Sequence, residues 1–545
     1  MLSPIVFNTR RVRRTLSNSK SLSDGKRVSV EGPNLGEKDC KVLVNLVQEF
    51  GQETTFHGMN VMLAPGVGKF ERALSTIAFV VAFILLVCVC LFLASRFSKG
   101  QFKTVVENTH FPLYKVKYPE VTICNKNRLN WSRLLEAKNK FLLPAHRNNS
   151  KEELFTEIIG LYDTFIFGKF DRFAQLEQYP LHELNYINFT AVARFMAWRC
   201  WEILSHCKWR SHVYRCCDIF MERRSQLGFC LAFNSVERPK THNNNTTWPW
   251  RTDRGGTYAG LTVKVVLNKQ QHFTGGMEGI TVMIVEPNVW YYIPMDIPGQ
   301  TRTRLTMDGF LNKYEDETRR VPSSERGCVF KDEQNSDDFK TLYGHRYRFE
   351  NCHAQCQQEY LIKYCNCTLD IFFPPSPDPH CRLVDLPCLA KYNNYLVNFE
   401  IPGQEKYMSS KYPGIVCSCY VSCDSLRYYV AIKSRDLTEA ETVENRSIVD
   451  LDVYFERDFI TKYKTILVFT WIDLIVSFGG TTGLFLGCSL ISIVELVYFF
   501  FIVAPRRIRE EHERPQQLKR RPSRVEQSKI KLRAYRGVYR AQGQF

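Results

Sequence analysis

Two stretches of this chain are apolar all round, and the pattern between them is of another kind. Ala73 to Ser95 (ALSTIAFVVAFILLVCVCLFLAS) carries no charge. At 1.5 Å per residue a helix of that length covers about 35 Å, enough for a hydrocarbon core of roughly 30 Å. It has no polar stripe, as a buried core helix commonly would, and it lies too far from Met1 for a cleaved signal peptide. The second stretch, Ile466 to Val503, has only Asp473 and Glu495 as charges, with Leu474 to Val494 uncharged between them. It exceeds the roughly 20 residues a span needs, which points to tilt or to a helix interrupted partway. Between the two, β-branched runs such as Thr262–Leu267 and Ile280–Val285, bounded by Gly, Asn or Pro, predict strands. Lys151–Leu161 and Thr190–Leu204 have helical periodicity, and Cys352–Cys423 reads as loop and short helix. The expectation is an α+β membrane protein with two transmembrane helices and a large β-core ectodomain. Its segments are a tail at 1–72, spans at 73–95 and 466–503, an outer domain at 96–465 and a basic tail at 504–545.

Cysteines assign the sides. Of twenty, sixteen lie between the spans, from Cys124 to Cys423. The Asn-X-Ser/Thr sequons, at Asn130, Asn148, Asn188, Asn244, Asn245, Asn366 and Asn445, all lie there too. Such a segment is extracellular, glycosylated and disulfide-linked, which places both tails in the cytosol of a multi-pass plasma-membrane protein. Spacings such as Cys352-x3-Cys356 and Cys417-x-Cys419 would suggest zinc inside a cell; outside, disulfides are favoured and no metal is expected.

Charge agrees with this topology. The formal net charge is +17. Residues 1–72 hold 11 Lys/Arg against 7 Asp/Glu, and residues 505–545 hold 13 against 4. Most of the excess therefore sits in the two tails, as the positive-inside rule requires. Arg506, Arg507, Lys519, Arg520 and Arg521 could meet anionic lipid; a solvated tail is an equal alternative. Neither tail carries a nucleic-acid-reading motif.

Enzyme signatures fail. His182-Glu183-Leu184-Asn185-Tyr186 has Tyr where a zinc protease needs its second His, and Gly66-Val67-Gly68-Lys69 lacks the phosphate-loop spacing. No cofactor is expected beyond a permeant ion. The second span is more telling. Gly479, Gly483 and Gly487 recur every four residues, with Gly480 beside the first, so on a helix they share one face for close packing. Glu495 is an intramembrane carboxylate that must face water or a partner. Gly487-Cys488-Ser489 offers carbonyls and a hydroxyl to an ion.

These residues carry a resemblance. Gly483-Leu484-Phe485-Leu486-Gly487-Cys488-Ser489, with Glu495-Leu496 after it, resembles the second-span signature of the epithelial sodium channel / degenerin / acid-sensing channel family. Phe56-His57-Gly58, Tyr118-Pro119-Glu120-Val121-Thr122-Ile123-Cys124-Asn125, Gly228-Phe229-Cys230-Leu231-Ala232-Phe233-Asn234 and Cys417-Ser418-Cys419 with Cys423 match its further landmarks in order, over about residues 55–500.

The resemblance implies a trimeric, voltage-insensitive, sodium-selective channel, amiloride-sensitive and gated through an ectodomain with helical finger and thumb regions. Gly487, Cys488 and Ser489 would be the selectivity filter, and His57-Gly58 a re-entrant motif below it. It also implies the pairings Cys124–Cys230, Cys328–Cys423, Cys352–Cys419, Cys356–Cys417, Cys365–Cys388 and Cys367–Cys381, leaving Cys200, Cys207, Cys216 and Cys217 unassigned. No Trp stands just before Cys328, in Val321 to Gly327, and Ser477 stands where the family often has Asp. The tail has no P-P-x-Y motif, and the pattern is closest to the insect pickpocket branch. Val476 stands where degenerins hold a small residue, which implies an easily opened pore. The subunits would form a homo- or heterotrimer acted on by an extracellular ligand. Rival readings of the same topology are a ligand-gated cation channel of the ATP-receptor type and a non-conducting cysteine-rich receptor.

Overall fold

The computed structural model describes residues 44–51, 54, 56–64, 66–144, 148–236, 248–268, 278–290, 293–336, 338–401, 403, 406–407 and 413–509. The sequons at Asn244 and Asn245, Lys519, Arg520 and Arg521, and most of both tails lie outside them. The chain divides into two compact units, 96–470 and the remainder on either side of it.

The 96–470 unit is a mixed α/β fold on two large sheets, with a further two-stranded one, Cys328–Val329 beside Val421–Ser422. The larger has eight strands, and the 14-residue strand Thr301–Tyr314 organises it. That strand pairs antiparallel with Ser425–Asp436 on one side. On its other side it pairs in series with two strands, both parallel to it: Arg446–Phe455 along Thr301–Met307, then Phe459–Leu467 along Phe310–Tyr314. Gly309 stands at the handover, where an added Cβ would crowd Ile460. The smaller sheet runs in the order Phe220–Ser225, Gly228–Phe233, Glu120–Asn125, Gly279–Val285, Met295–Pro298.

The strand expectations rest on β-branched runs, and both runs are strands. Leu261, Val263, Val265 and Leu267 are buried and the residues between them are half-exposed, the pattern of a strand with one face on a core. Gly279–Val285 is buried on both faces and reads as a continuous apolar run. The two sheets share a core centred on Tyr118, whose hydroxyl donates to the Val453 carbonyl at 2.6 Å while its ring meets Trp209 edge-on at 4.5 Å.

A second core is helical. Asn148 caps the helix Asn149–Asp163, its Oδ1 accepting from the Lys151 N–H at 2.8 Å, and the helix buries Leu154, Phe155, Ile158, Ile159 and Tyr162 on one face. Phe165, Phe170, Phe173 and Phe372 pack ring to ring behind it. Each such side chain contributes about 1.5–3 kcal/mol on burial.

Three expectations change. Thr190–Leu204 is not one helix: Phe189–Met196 ends where the Asn130 N–H donates to the Met196 carbonyl, Arg199 is extended, and only Cys200–Ile203 turns again before a strand. The short helix expected after Cys352 is a 17-residue one, Phe349–Cys365. Its period is hidden because much of its buried face is polar: Asn351 accepts from the Trp290 N–H and Gln358 donates to Thr368. Finally, Ile466 and Leu467 belong to the strand ending at Leu467, and the second apolar helix begins at Trp471.

Eight disulfides stitch this unit. Six are the pairs that the resemblance implies, and the other two are Cys200–Cys217 and Cys207–Cys216. Local geometry explains the rungs Cys352–Cys419 and Cys356–Cys417. Residues four apart share a helix face, and residues two apart share a face of an extended chain.

Candidate pore and gating site

The first apolar helix, Lys69–Ser98, is long and apolar enough to cross a membrane. Its side chains are outward, with Leu91 and Phe92 65% and 66% exposed, so the alternative of a buried core helix fails. Such a surface is stable only against lipid or other apolar chains.

The second is two helices, Trp471–Leu486 and Leu490–Arg509, bent by 74° across Gly487-Cys488-Ser489. Sequence chemistry makes the break. Gly487 adopts φ +67°, a conformation that ends helices and suits glycine, and its N–H donates to the Gly483 carbonyl at 3.0 Å. Ser489 then caps the next helix: its hydroxyl accepts from the Ser492 N–H and the Ser492 hydroxyl accepts from the Ser489 N–H, both at 3.2 Å. In G-x-S the Gly stops one helix and the Ser starts the next, which leaves three residues of non-helical backbone inside an apolar segment. Gly479 and Gly483 lie on the first helix, but Gly487 is past its end, so the three glycines do not form one helix face as expected.

The residues before the first span return to this break. The His57 N–H donates to the Leu486 carbonyl at 2.9 Å, and the His57 ring fills the space where a Cβ on Gly487 would stand. Gly58, at φ +80°, accepts at its carbonyl from the Ser75 hydroxyl at 3.0 Å. His57 and Gly58 are thus tied to both apolar helices. Further along, the Phe50 ring packs on Phe499 and Phe500, and Arg507 pairs with Glu49 at 3.5 Å. Val476 and Glu495 are exposed, and Ser477 is half-exposed with its carbonyl accepting from Thr481.

The strands that leave and enter these helices are paired. Phe102 faces Leu467, and the Val468 N–H donates to the Gln101 carbonyl at 2.8 Å. Arg320 clamps the pair: it donates to the Phe469 carbonyl at 2.7 Å and stands 3.9 Å above the Phe97 ring. Nothing local in the sequence marked Arg320; its partners are more than a hundred residues away.

The motif Tyr118–Asn125 and the motif Gly228–Asn234 meet in the smaller sheet. Val121 is opposite Phe233, Cys124 is bonded to Cys230, and Asn234, at φ +60°, donates to the Tyr118 carbonyl. Among the sequons, Asn148, Asn188, Asn366 and Asn445 are exposed. Asn130 is a correction: it is 4% exposed, and its amide is used up between Glu202 and the Ser132 N–H and hydroxyl, so no glycan fits there. No cluster of three or more metal-ligating side chains occurs among the described residues.

Residues 50–499 match the family described as amiloride-sensitive sodium channel. The chain belongs to that family. Pickpocket protein 19 of Drosophila melanogaster is 29% identical over 422 residues, covering 74% of this chain and 81% of its own length. The sodium channel protein Nach of the same species is 21% identical, covering 87% of this chain and 90% of its own. Acid-sensing ion channel 1A of Danio rerio is 23% identical, covering 85% and 89%. Within the amiloride-sensitive sodium channel family the proteins are membrane-embedded, oligomeric channels of the plasma membrane, and this chain is accordingly a cation-channel subunit, not an enzyme.

Proposed function

We propose that the chain forms, with two like or related subunits, a voltage-insensitive, amiloride-sensitive, sodium-selective channel opened through its extracellular domain. The spans are 73–95 and the broken helix after Thr470; 96–470 is extracellular, and 1–72 and 504–545 are cytosolic tails. Gly487, Cys488 and Ser489 form the filter, and sodium is the permeant ion rather than a cofactor. The observation that carries this reading is the three-residue break held by His57. Non-helical backbone is tolerated at membrane depth only where it is buried in protein or lines water, and three such breaks around an axis would ring a pore with carbonyls. Arg506 and Arg507, at the end of the second helix, suit anionic headgroups.

Expression in oocytes tests the reading. It requires an amiloride-sensitive current whose reversal potential shifts when potassium replaces sodium, and a change of that selectivity on Ser489→Ala. An amiloride-insensitive, nucleotide-evoked current would favour the ATP-receptor type. No current from a surface-expressed chain, alone or with related subunits, would favour the non-conducting receptor.

A further inference from the structure

We propose that the open edge of the strand Ser425–Asp436 takes up an extended peptide in which carboxylate side chains alternate with apolar ones. That strand runs for 12 residues beside Thr301–Tyr314 in unbroken register, and no strand lies on its other side among the described residues. The other open edges of the larger sheet differ: Phe102–Pro112 is interrupted by two register shifts, and His212–Tyr214 has only three residues. A long, regular, uncovered edge is a ready template for another strand.

One bond fixes the direction of its backbone groups. The Leu437 N–H donates to the Gln300 carbonyl at 2.9 Å, so the odd-numbered residues of the strand bond to Thr301–Tyr314. The N–H and C=O groups of Val430, Ile432 and Ser434 therefore point to the open side. Their side chains share one face, where Val430 is half-buried and Ile432 is 48% exposed. A peptide residue bonded there sets its own side chain beside them, which selects an apolar one.

The opposite face selects the charge. Arg435 stands opposite Arg302 and Lys433 opposite Arg304, and like charges in that position repel. Glu441 resolves the first pair, 3.1 Å from each guanidinium, and Asp450 adds a bond of 2.8 Å to Arg302. The second pair has Asp452, 3.9 Å from Arg304 and already accepting from Thr262. Lys433 is exposed and makes no ion pair among the described residues. A carboxylate on the residue facing Lys433 would do for that pair what Glu441 does for its neighbour. The fold already contains this recognition. Residues 449–453 alternate apolar side chains with Asp450 and Asp452, and they run along Arg302 and Arg304 on the other side of Thr301–Tyr314.

The proposal rests on the channel reading only in placing 96–470 outside the cell, and its test reads binding rather than current, so the two can fail separately. Purified full-length protein in detergent is titrated at low salt with labelled seven-residue peptides in which valine alternates with aspartate, asparagine or lysine. Saturable binding is expected, with the aspartate peptide at least about threefold tighter than the asparagine one and the lysine peptide weakest. Lys433→Gln, which breaks no ion pair within the protein, should weaken the aspartate peptide by that factor and leave the asparagine peptide unchanged. Ile432→Pro deletes an N–H on the open side, where an edge strand tolerates proline, and should abolish binding of all three. Equal affinity for the three peptides, no saturable binding, or aspartate affinity unchanged in Lys433→Gln overturns the proposal. So does an Ile432→Pro variant that binds like the wild type, or one whose oligomer comes apart, which would assign the edge to a second copy of the chain.

Discussion

The main-chain N–H of His57 donates to the carbonyl of Leu486, the last helical residue before the break, and the ring of His57 lies where Gly487 has no side chain. A carbonyl freed by helix termination is thereby satisfied from a segment more than four hundred residues earlier. The absence of a Cβ at 487 therefore serves two ends: it permits φ +67°, and it makes room for the ring.

Gly487→Ala should therefore be severe. A non-glycine residue in the left-handed region costs roughly 1–2 kcal/mol, and the methyl group also collides with His57. Amiloride-sensitive current should fall at least about tenfold with surface biotinylation unchanged. Wild-type current from Gly487→Ala would mean that the His57 contact is dispensable for conduction.

Arg320 ties the strand end at Phe469 to the Phe97 ring. Removing it costs a charged hydrogen bond of about 1.5–3 kcal/mol and a cation–π contact of about 0.5–1. In Arg320→Ala the Val468 amide, which bonds Gln101 beside this clamp, should exchange with deuterium faster, and amides of Gly279–Val285 should not. Equal exchange at Val468 in both proteins would show that the strand pairing alone holds the junction.

His353 is sandwiched between Phe349 and Phe399, with ring centroids 4.3 and 4.7 Å away, and burial lowers its pKa below the ordinary histidine value. The folded state therefore prefers the neutral ring. The stability this brings is present above the unfolded pKa of about 6.5 and is lost as pH falls through the lowered folded value. His353→Leu should flatten the fall in melting temperature between pH 7 and pH 5. A melting curve equally acid-sensitive in the variant would place that sensitivity elsewhere.

Val476 is 66% exposed on the helix Trp471–Leu486. If bulk there holds the pore open, Val476→Gly should lower resting open probability in patch recordings without altering sodium selectivity. An unchanged resting current would remove Val476 from gating.

Much of the candidate site was legible in the residues because its signals are local. Gly487, Cys488 and Ser489 stood out as small residues able to offer carbonyls and a hydroxyl inside an apolar segment, whereas Gly487 as helix stop and Ser489 as helix cap emerge only from the structure. The strand Leu261–Asn268 was legible from its β-branched run, Thr262–Leu267. The helix Phe349–Cys365 was underread because Asn351, Gln357 and Gln358 are inside it, and no polar residue announces by itself that it will be buried with a partner.

The sequence by itself determined the two apolar segments, the excess length of the second, and the confinement of sixteen cysteines and every sequon between them. Each is a property of a short run of residues and its transfer or backbone energy. Only the tertiary structure decided that Cys200 takes Cys217 and Cys207 takes Cys216, that Asn130 is buried, that the second helix begins at Trp471, and that it breaks at Gly487-Cys488-Ser489. Those are outcomes of packing between distant segments, where burial and pairing depend on what arrives from elsewhere in the chain.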